Sequence, residues 1–283
     1  MSYEHNSGWS HRQTDVTRKE RGQHRIFSGL LTAYFMNALI LAAGYATRLY
    51  PLTLDKAKPL LTVGGKPIIE WATDNLAAVP NLETVYVVTN DKFASDFQAW
   101  SERYQGRQPK FKLKVINDGS KSDADKLGAI GDINFVVTRE NLTADGLLII
   151  AGDNLFTESL TGFAAYARET EATVAVYDVG DIEAIKKYGN VAIDADGIIT
   201  RFEEKPQKPR GTLAAIALYY YSPEVLSLLT TYLAAGNNLD QPGRFVQWLY
   251  TRKPVKTFQI RGRWLDIGSK ETLEKADRIL SQP

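Results

Sequence analysis

From Asn37 onward, short apolar runs alternate with stretches of helical periodicity, and this alternation restricts the fold more than any other feature of the chain. The runs are Ala38-Leu-Ile-Leu-Ala, Thr84-Val-Tyr-Val-Val-Thr, Lys112-Leu-Lys-Val-Ile, Leu147-Leu-Ile-Ile-Ala and Ala172-Thr-Val-Ala-Val-Tyr. Strands joined by helix-length connections pair in parallel and are covered on both faces, so the pattern predicts an α/β fold with a mainly parallel sheet. Between the first two runs, Pro67 sits where a first helical turn would begin, and Ile68, Trp71, Ala72, Leu76 and Val79 then make one apolar face. Further on, Val191-Ala-Ile, Asp194-Ala-Asp-Gly and Ile198-Ile-Thr-Arg-Phe predict a hairpin with Asp-Gly in its turn. A strand over 214–221, helices over 223–235 and 244–251, a strand over 255–260 and a closing helix from Lys270 complete the expectation. Nothing in composition divides residues 36–283, which read as one domain whose second half elaborates binding over the first.

Lysine and arginine total 34 against 33 acidic residues, so no field favours nucleic acid or an anionic membrane, and a small-molecule partner is expected. The chain has no cysteine, which removes disulfides, thiolate nucleophiles and zinc-thiolate sites and leaves oxygen ligands and phosphate chemistry. Residues 1–35 are polar, lack a repeating apolar face before Ile26 and read as a disordered extension. Arg18, Lys19, Arg21 and Arg25 before the apolar stretch 26–44 superficially imitate a secretory signal, but Ser28, Gly29, Thr32 and Asn37 break that stretch. A cytoplasmic location is therefore expected, and Met36, directly before the first strand, is a candidate translation start.

The segment Leu41-Ala-Ala-Gly-Tyr-Ala-Thr-Arg-Leu-Tyr-Pro-Leu-Thr, followed by Lys58-Pro-Leu-Leu and Lys66-Pro-Ile, is the most informative in the chain. Small residues at 42–44 let backbone N–H groups approach a ligand, and a loop at the carboxyl end of a parallel strand is where such sheets bind one. Arg48 and Lys58 add cations that suit a triphosphate. The segment resembles the signature of the sugar nucleotidyltransferase family, whose usual form is Leu-Ala-Ala-Gly-x-Gly-Thr-Arg-Leu-x-Pro-Leu-Thr. The resemblance covers Asn37 to about Leu280 and implies a Rossmann-like fold of the nucleotide-diphospho-sugar transferase type. It also implies a nucleotide-binding loop of Leu41, Ala42, Ala43, Gly44, Thr47 and Arg48, with Arg48 and Lys58 offsetting charge in the transition state. Ala46 departs from the pattern by standing where the family usually has its second glycine.

Two aspartates extend the picture. Ala151-Gly-Asp-Asn ends an apolar strand and places Asp153 at the sheet edge that carries the glycine loop, while Trp264-Leu-Asp-Ile-Gly puts Asp266 in apolar surroundings. A lone aspartate after a strand is ordinarily a turn former or helix cap, but two beside a phosphate loop suit Mg²⁺, which takes one or two carboxylates plus phosphate oxygens and water. Both match the family's metal-binding aspartates, and the resemblance makes Asp153 a catalytic position. By the same resemblance, Tyr188, Gly189, Glu204 and Lys205 line the sugar-phosphate pocket. Gly128, in Leu127-Gly-Ala-Ile-Gly-Asp-Ile, matches a glycine that approaches the base, and Asn117 stands where a side chain able to donate and accept could pair with uracil, thymine or cytosine. The loop of Asp118, Ser120, Ser122, Asp123 and Asp125 reads as a polar loop rather than a second metal site.

The resemblance implies an enzyme that transfers a nucleoside monophosphate from an NTP to a sugar 1-phosphate and releases pyrophosphate, with Mg²⁺ as cofactor, no nucleic-acid or membrane partner and room for a homo-oligomer. Two alternatives stand beside it: a cytidylyltransferase for a phosphorylated alcohol such as phosphocholine, and a non-catalytic subunit that binds nucleotide-sugars. His5, His11 and His24 all lie in the extension, so no histidine is expected in the reaction. The short segment after Asp266 leaves no room in this sequence for the extra domain that some relatives append.

Overall fold

A computed structural model describes residues 36–281; the expected extension 1–35, with its three histidines, lies outside them. In chain order the first half contains β1 (Met36–Leu41), the short strands β2 (Thr62–Val63) and β3 (Lys66–Pro67), α1 (Ile68–Ala77), β4 (Leu82–Thr89), α2 (Ala94–Gln105), β5 (Lys112–Asn117), α3 (Ala129–Arg139) and β6 (Leu147–Ala151). The second half contains β7 (Asn154–Phe156), α4 (Thr161–Ala167), β8 (Ala172–Asp178), β9 (Gly189–Ile193), β10 (Ile199–Glu204), β11 (Leu213–Tyr221), α5 (Pro223–Ala234), α6 (Pro242–Leu249), β12 (Lys256–Gln259), β13 (Trp264–Asp266) and α7 (Lys270–Leu280).

The main sheet runs β10-β9-β11-β6-β1-β4-β5, with β8 and β12 attached through β11. β1 is central and parallel to both β4 and β6, and β4 is parallel to β5. Side chains of β1 and β6 alternate between two cores. Ala38, Ile40, Leu148 and Ile150 face one, with Ile69, Leu76, Phe97 and Trp100 of α1 and α2. Leu39, Leu147 and Ile149 face the other, with Ile133, Val136, Val225, Leu229, Phe245 and Val246 of α3, α5 and α6. Burial on both faces is the physical reason these strands read as unbroken apolar runs.

The hairpin forms as expected, with β9 antiparallel to β10 and Asp194 accepting from Asp196 N at 3.0 Å and Ile198 N at 2.9 Å. The run at Ala172, grouped by pattern with the parallel strands, has a different neighbour: β8 is antiparallel to β11 and parallel only to β12. β11 lies between β6 and β8 and opposes both, so these two share a direction without touching as strands. Among the described residues no helix is long and apolar enough to cross a membrane.

Candidate active site

The carboxyl ends of β1 and β6 meet at one edge of the sheet. Gly152 N donates to Leu41 O at 2.9 Å, and a Cβ on Gly152 would lie 2.9 Å from that same oxygen and 3.3 Å from Pro59. Glycine is therefore required for the turn after β6 to pass so close to β1, and this turn delivers Asp153 beside the first loop. The loop is anchored from below: Ala42 N donates to Val88 O at 2.9 Å, and the buried Asn90 donates from Nδ2 to Ala43 O at 2.9 Å. Gly44 stands exposed with open space about it, so its backbone is reachable by a ligand.

Ala46 takes the left-handed conformation, φ 49° and ψ 42°, at the start of the 3-10 turn Thr47–Leu49. Its carbonyl accepts from Leu49 N and from Thr53 Oγ1, both at 2.9 Å, and these bonds hold a geometry that an alanine does not favour. The positive φ that the family's glycine would provide is present here without the glycine.

Lys58 opens a second 3-10 turn, is only 9% exposed, and places Nζ 2.6 Å from Asp153 Oδ2. β13 pairs antiparallel with β7, setting Asp266 opposite Asn154, the residue after Asp153. Two aspartates more than a hundred residues apart are thereby neighbours. The Asp266 carboxyl is raised above its ordinary range, first by burial and then by the Asp153 charge; Lys58, a hydrogen bond from Tyr188 and Arg48 act in the opposite sense. Lys58, Asp153 and Asp266 thus cluster together, with the Arg48 charge reaching Asp266 from the first loop, two cations against two carboxylates.

Tyr188 connects this cluster to the second half of the chain. Its hydroxyl donates to Asp266 Oδ2 at 3.4 Å, its carbonyl accepts from Lys205 N at 3.0 Å, and its ring packs edge-on against Trp264 with centroids 4.9 Å apart. Burial followed by the Asp266 charge holds the Tyr188 phenol protonated, so it acts as a donor. Glu204, 9% exposed, is raised by burial while Lys205 and Arg244 pull it down. Its carboxyl fills a niche between two glycines: a Cβ on Gly243 would fall 1.9 Å from Glu204 Oε2, and one on Gly189 would fall 3.1 Å from it. Gly189 thus makes room for Glu204 and, more closely, for Phe202, whose Cζ would lie 2.6 Å from the added Cβ. Lys205 follows at φ 48° with an exposed side chain.

The expected base-reading residues are placed as follows. Asn117 Nδ2 donates to Asp91 Oδ1 and its Oδ1 accepts from Gly119 N, each at 2.8 Å, so both ends of the amide already bond within the protein. Gly128 has φ 78°, and a Cβ there would lie 2.7 Å from Leu239 O; close packing of α3 against the 239–240 backbone demands a glycine irrespective of any base. Gln247, whose Oε1 accepts from Glu204 N at 3.1 Å, and Arg244 were not anticipated. Pro242-Gly243 before them marks a helix start, but nothing in it signals the approach to Glu204.

A loop of small residues at the carboxyl edge of an α/β sheet, with paired carboxylates and two cations beside it, is the setting in which such folds bind ligands. The chain belongs to the nucleotidyl transferase family, whose model matches residues 37–282. It is 26% identical over 246 residues to the bifunctional protein GlmU of Methanocaldococcus jannaschii, a match that takes in 87% of this chain and 54% of that one. It is 26% identical over 249 residues to the UTP--glucose-1-phosphate uridylyltransferase AglF of Haloferax volcanii, covering 87% of this chain and 97% of AglF. The chain therefore spans about half the length of the GlmU relative and nearly all of AglF. A solved structure of UDP-glucose pyrophosphorylase complexed with UDP-glucose superimposes with a TM-score of 0.71 at 22% identity, over 87% of this chain and 98% of that one, and shares the mixed, mainly parallel sheet flanked by helices.

Proposed function

We propose that this chain transfers a nucleoside monophosphate from an NTP to a sugar 1-phosphate, and the observation that carries the proposal is the meeting of Lys58, Asp153 and Asp266 beside the loop 41–48. An oxygen of the acceptor phosphate attacks the α-phosphorus, a new P–O bond forms, the bond to the β-phosphate bridging oxygen breaks, and pyrophosphate leaves with the electron pair. The acceptor phosphate is already ionised near neutral pH, so no side chain has to remove a proton and the protein's work is positioning and charge stabilisation. Loop amides at 42–44 orient the triphosphate, and Arg48 and Lys58 offset the charge that accumulates on the leaving pyrophosphate. Glu204 accepts from acceptor hydroxyls, Lys205 holds the acceptor phosphate, and Tyr188 keeps both halves in register through its bonds to Asp266 and Lys205.

Asp153 and Asp266 suit Mg²⁺. Burial and then the neighbouring Asp153 charge raise the Asp266 carboxyl, both residues present oxygen only, and two such groups leave coordination positions for phosphate oxygens and water. A bound ion would supply positive charge at the α-phosphate.

A panel of NTPs and phosphorylated acceptors, read by pyrophosphate release, tests the reading. Release with a sugar 1-phosphate is expected, as the AglF likeness leads one to anticipate. Turnover only with CTP and a phosphorylated alcohol would move the chain to that branch. Tight binding of a nucleotide-sugar without any release would make it a sensor.

A further inference from the structure

Between the turn after β5 and the first turn of α3, two carboxyls face one another inside the protein. Asp118 follows β5, and Asp132 lies in the first turn of α3 with 6% of its surface exposed. Asp118 Oδ1 accepts from the N and the Oγ of Ser120, both at 2.7 Å, and its backbone N donates to Thr89 O at 2.8 Å. Asp118 Oδ2 and Asp132 Oδ1 are buried and receive a hydrogen bond from no donor among the described residues, yet the two side chains lie within hydrogen-bonding reach of each other. If both were ionised they would repel and leave acceptor atoms bare in a dry environment; one proton between them satisfies both. Burial and the Asp118 charge push Asp132 up to about 8, which agrees with this geometry. The elements packed on α3, namely β1, α5, α6 and the 3-10 turn Leu142–Ala144, bring no other ionised group to Asp132. On the Asp118 side, the acidic Asp91 and Asp125 flank Tyr45.

The pair joins the turn after β5 to the start of α3, the two segments that the sequence offers for the base. The turn 117–120 is tied to the first loop, since Tyr45 Oη donates to Ser120 O at 3.1 Å and Asp91 N donates to the same oxygen at 2.9 Å. Asp132 rides on the helix that begins after Gly128. We propose that Asp118 and Asp132 share one proton and act as positioning residues that clamp the turn 117–120 against the start of α3, so that NTP binds weakly once that proton is lost. The inference rests on the NTP reading of the site.

Titration calorimetry of the full chain with each NTP, repeated from about pH 6 to about pH 9.5, tests it across the range in which the pair ionises. The wild type is expected to lose affinity by about tenfold on the alkaline side, the effect of losing one charge-assisted hydrogen bond. Asp132→Leu, which removes the bond at every pH, is expected to bind weakly throughout. Asp132→Asn donates from Nδ2 to Asp118 and cannot ionise, so it should rescue binding and flatten the profile. An alkaline loss in the Asn variant equal to that of the wild type would overturn the inference, as would wild-type affinity in Asp132→Leu or no binding of any NTP. Binding without turnover would remove the transferase reading and leave the clamp to be decided by the pH profiles.

Discussion

At Ala46 a side chain occupies the left-handed region, which costs an L-residue about 1–2 kcal/mol, and the two bonds to its carbonyl absorb that cost. Ala46→Gly removes the strain but loosens the unfolded chain, so a net gain of about 0.5–1 kcal/mol in urea unfolding is expected; a loss would show that the methyl group packs favourably. Lys58 presents the opposite case. It is the cation nearest Asp153, and Lys58→Met leaves two neighbouring carboxylates with less to offset them. Turnover should fall at least about a hundredfold, as for loss of a preorganised charge. Stability should fall by about 1–3 kcal/mol, less than for a fully buried pair because the Asp153 side chain keeps 31% of its exposure. A variant with wild-type turnover would remove Lys58 from the mechanism.

Among elements, the packing of α6 on β10 is the joint most open to test. Gly243→Ala sets a methyl group against Glu204 Oε2, the mobile end of a side chain, so the helix should survive and the carboxylate should move. The KM for the sugar 1-phosphate is then expected to rise about tenfold with the KM for NTP unchanged, measured by steady-state kinetics; parallel rises in both would mean that Glu204 serves the fold rather than the acceptor. The same joint shows what the sequence could and could not reveal. β1, β4 and β6 were legible because burial on both faces writes a continuous apolar run, and the loop 41–58 because its run of small residues, Arg48 and Lys58 match a family signature. Glu204 and Lys205 were singled out only through resemblance, since charged residues at strand ends ordinarily face water, whereas the apolar surroundings of Asp266 gave it a signal of its own. Arg244 and Gln247 stayed hidden because they reach Glu204 from a helix more than thirty residues away, and local pattern carries no trace of such contact. α2 was equally faint: Phe97, Trp100 and Tyr104 make its buried stripe, but the rest of the helix is polar. The neighbour of β8 depended on β11 arriving later to separate it from β6, a matter of topology rather than composition.

For the molecule as a whole, protonation links stability to pH. Asp132 holds its proton up to about 8 in the folded chain, whereas an unfolded aspartate releases it near its ordinary value of about 4. The native state therefore binds the extra proton across that window, and this residue's contribution makes the fold less stable as pH rises from about 4 to about 8, then constant above. Calorimetric melting of Asp132→Asn against wild type should show a gap that opens in the variant's favour over this window; a gap independent of pH would contradict the assignment. Transfer itself is read in a single turnover with an NTP labelled at its α-phosphate and a sugar 1-phosphate, wild type beside Asp153→Ala. The label is expected to pass to the sugar nucleotide without residing on the protein, and the variant to slow this step by about a hundredfold or more. Label that stays in NTP, appears as free monophosphate, or transfers equally fast in the variant would contradict the transferase reading.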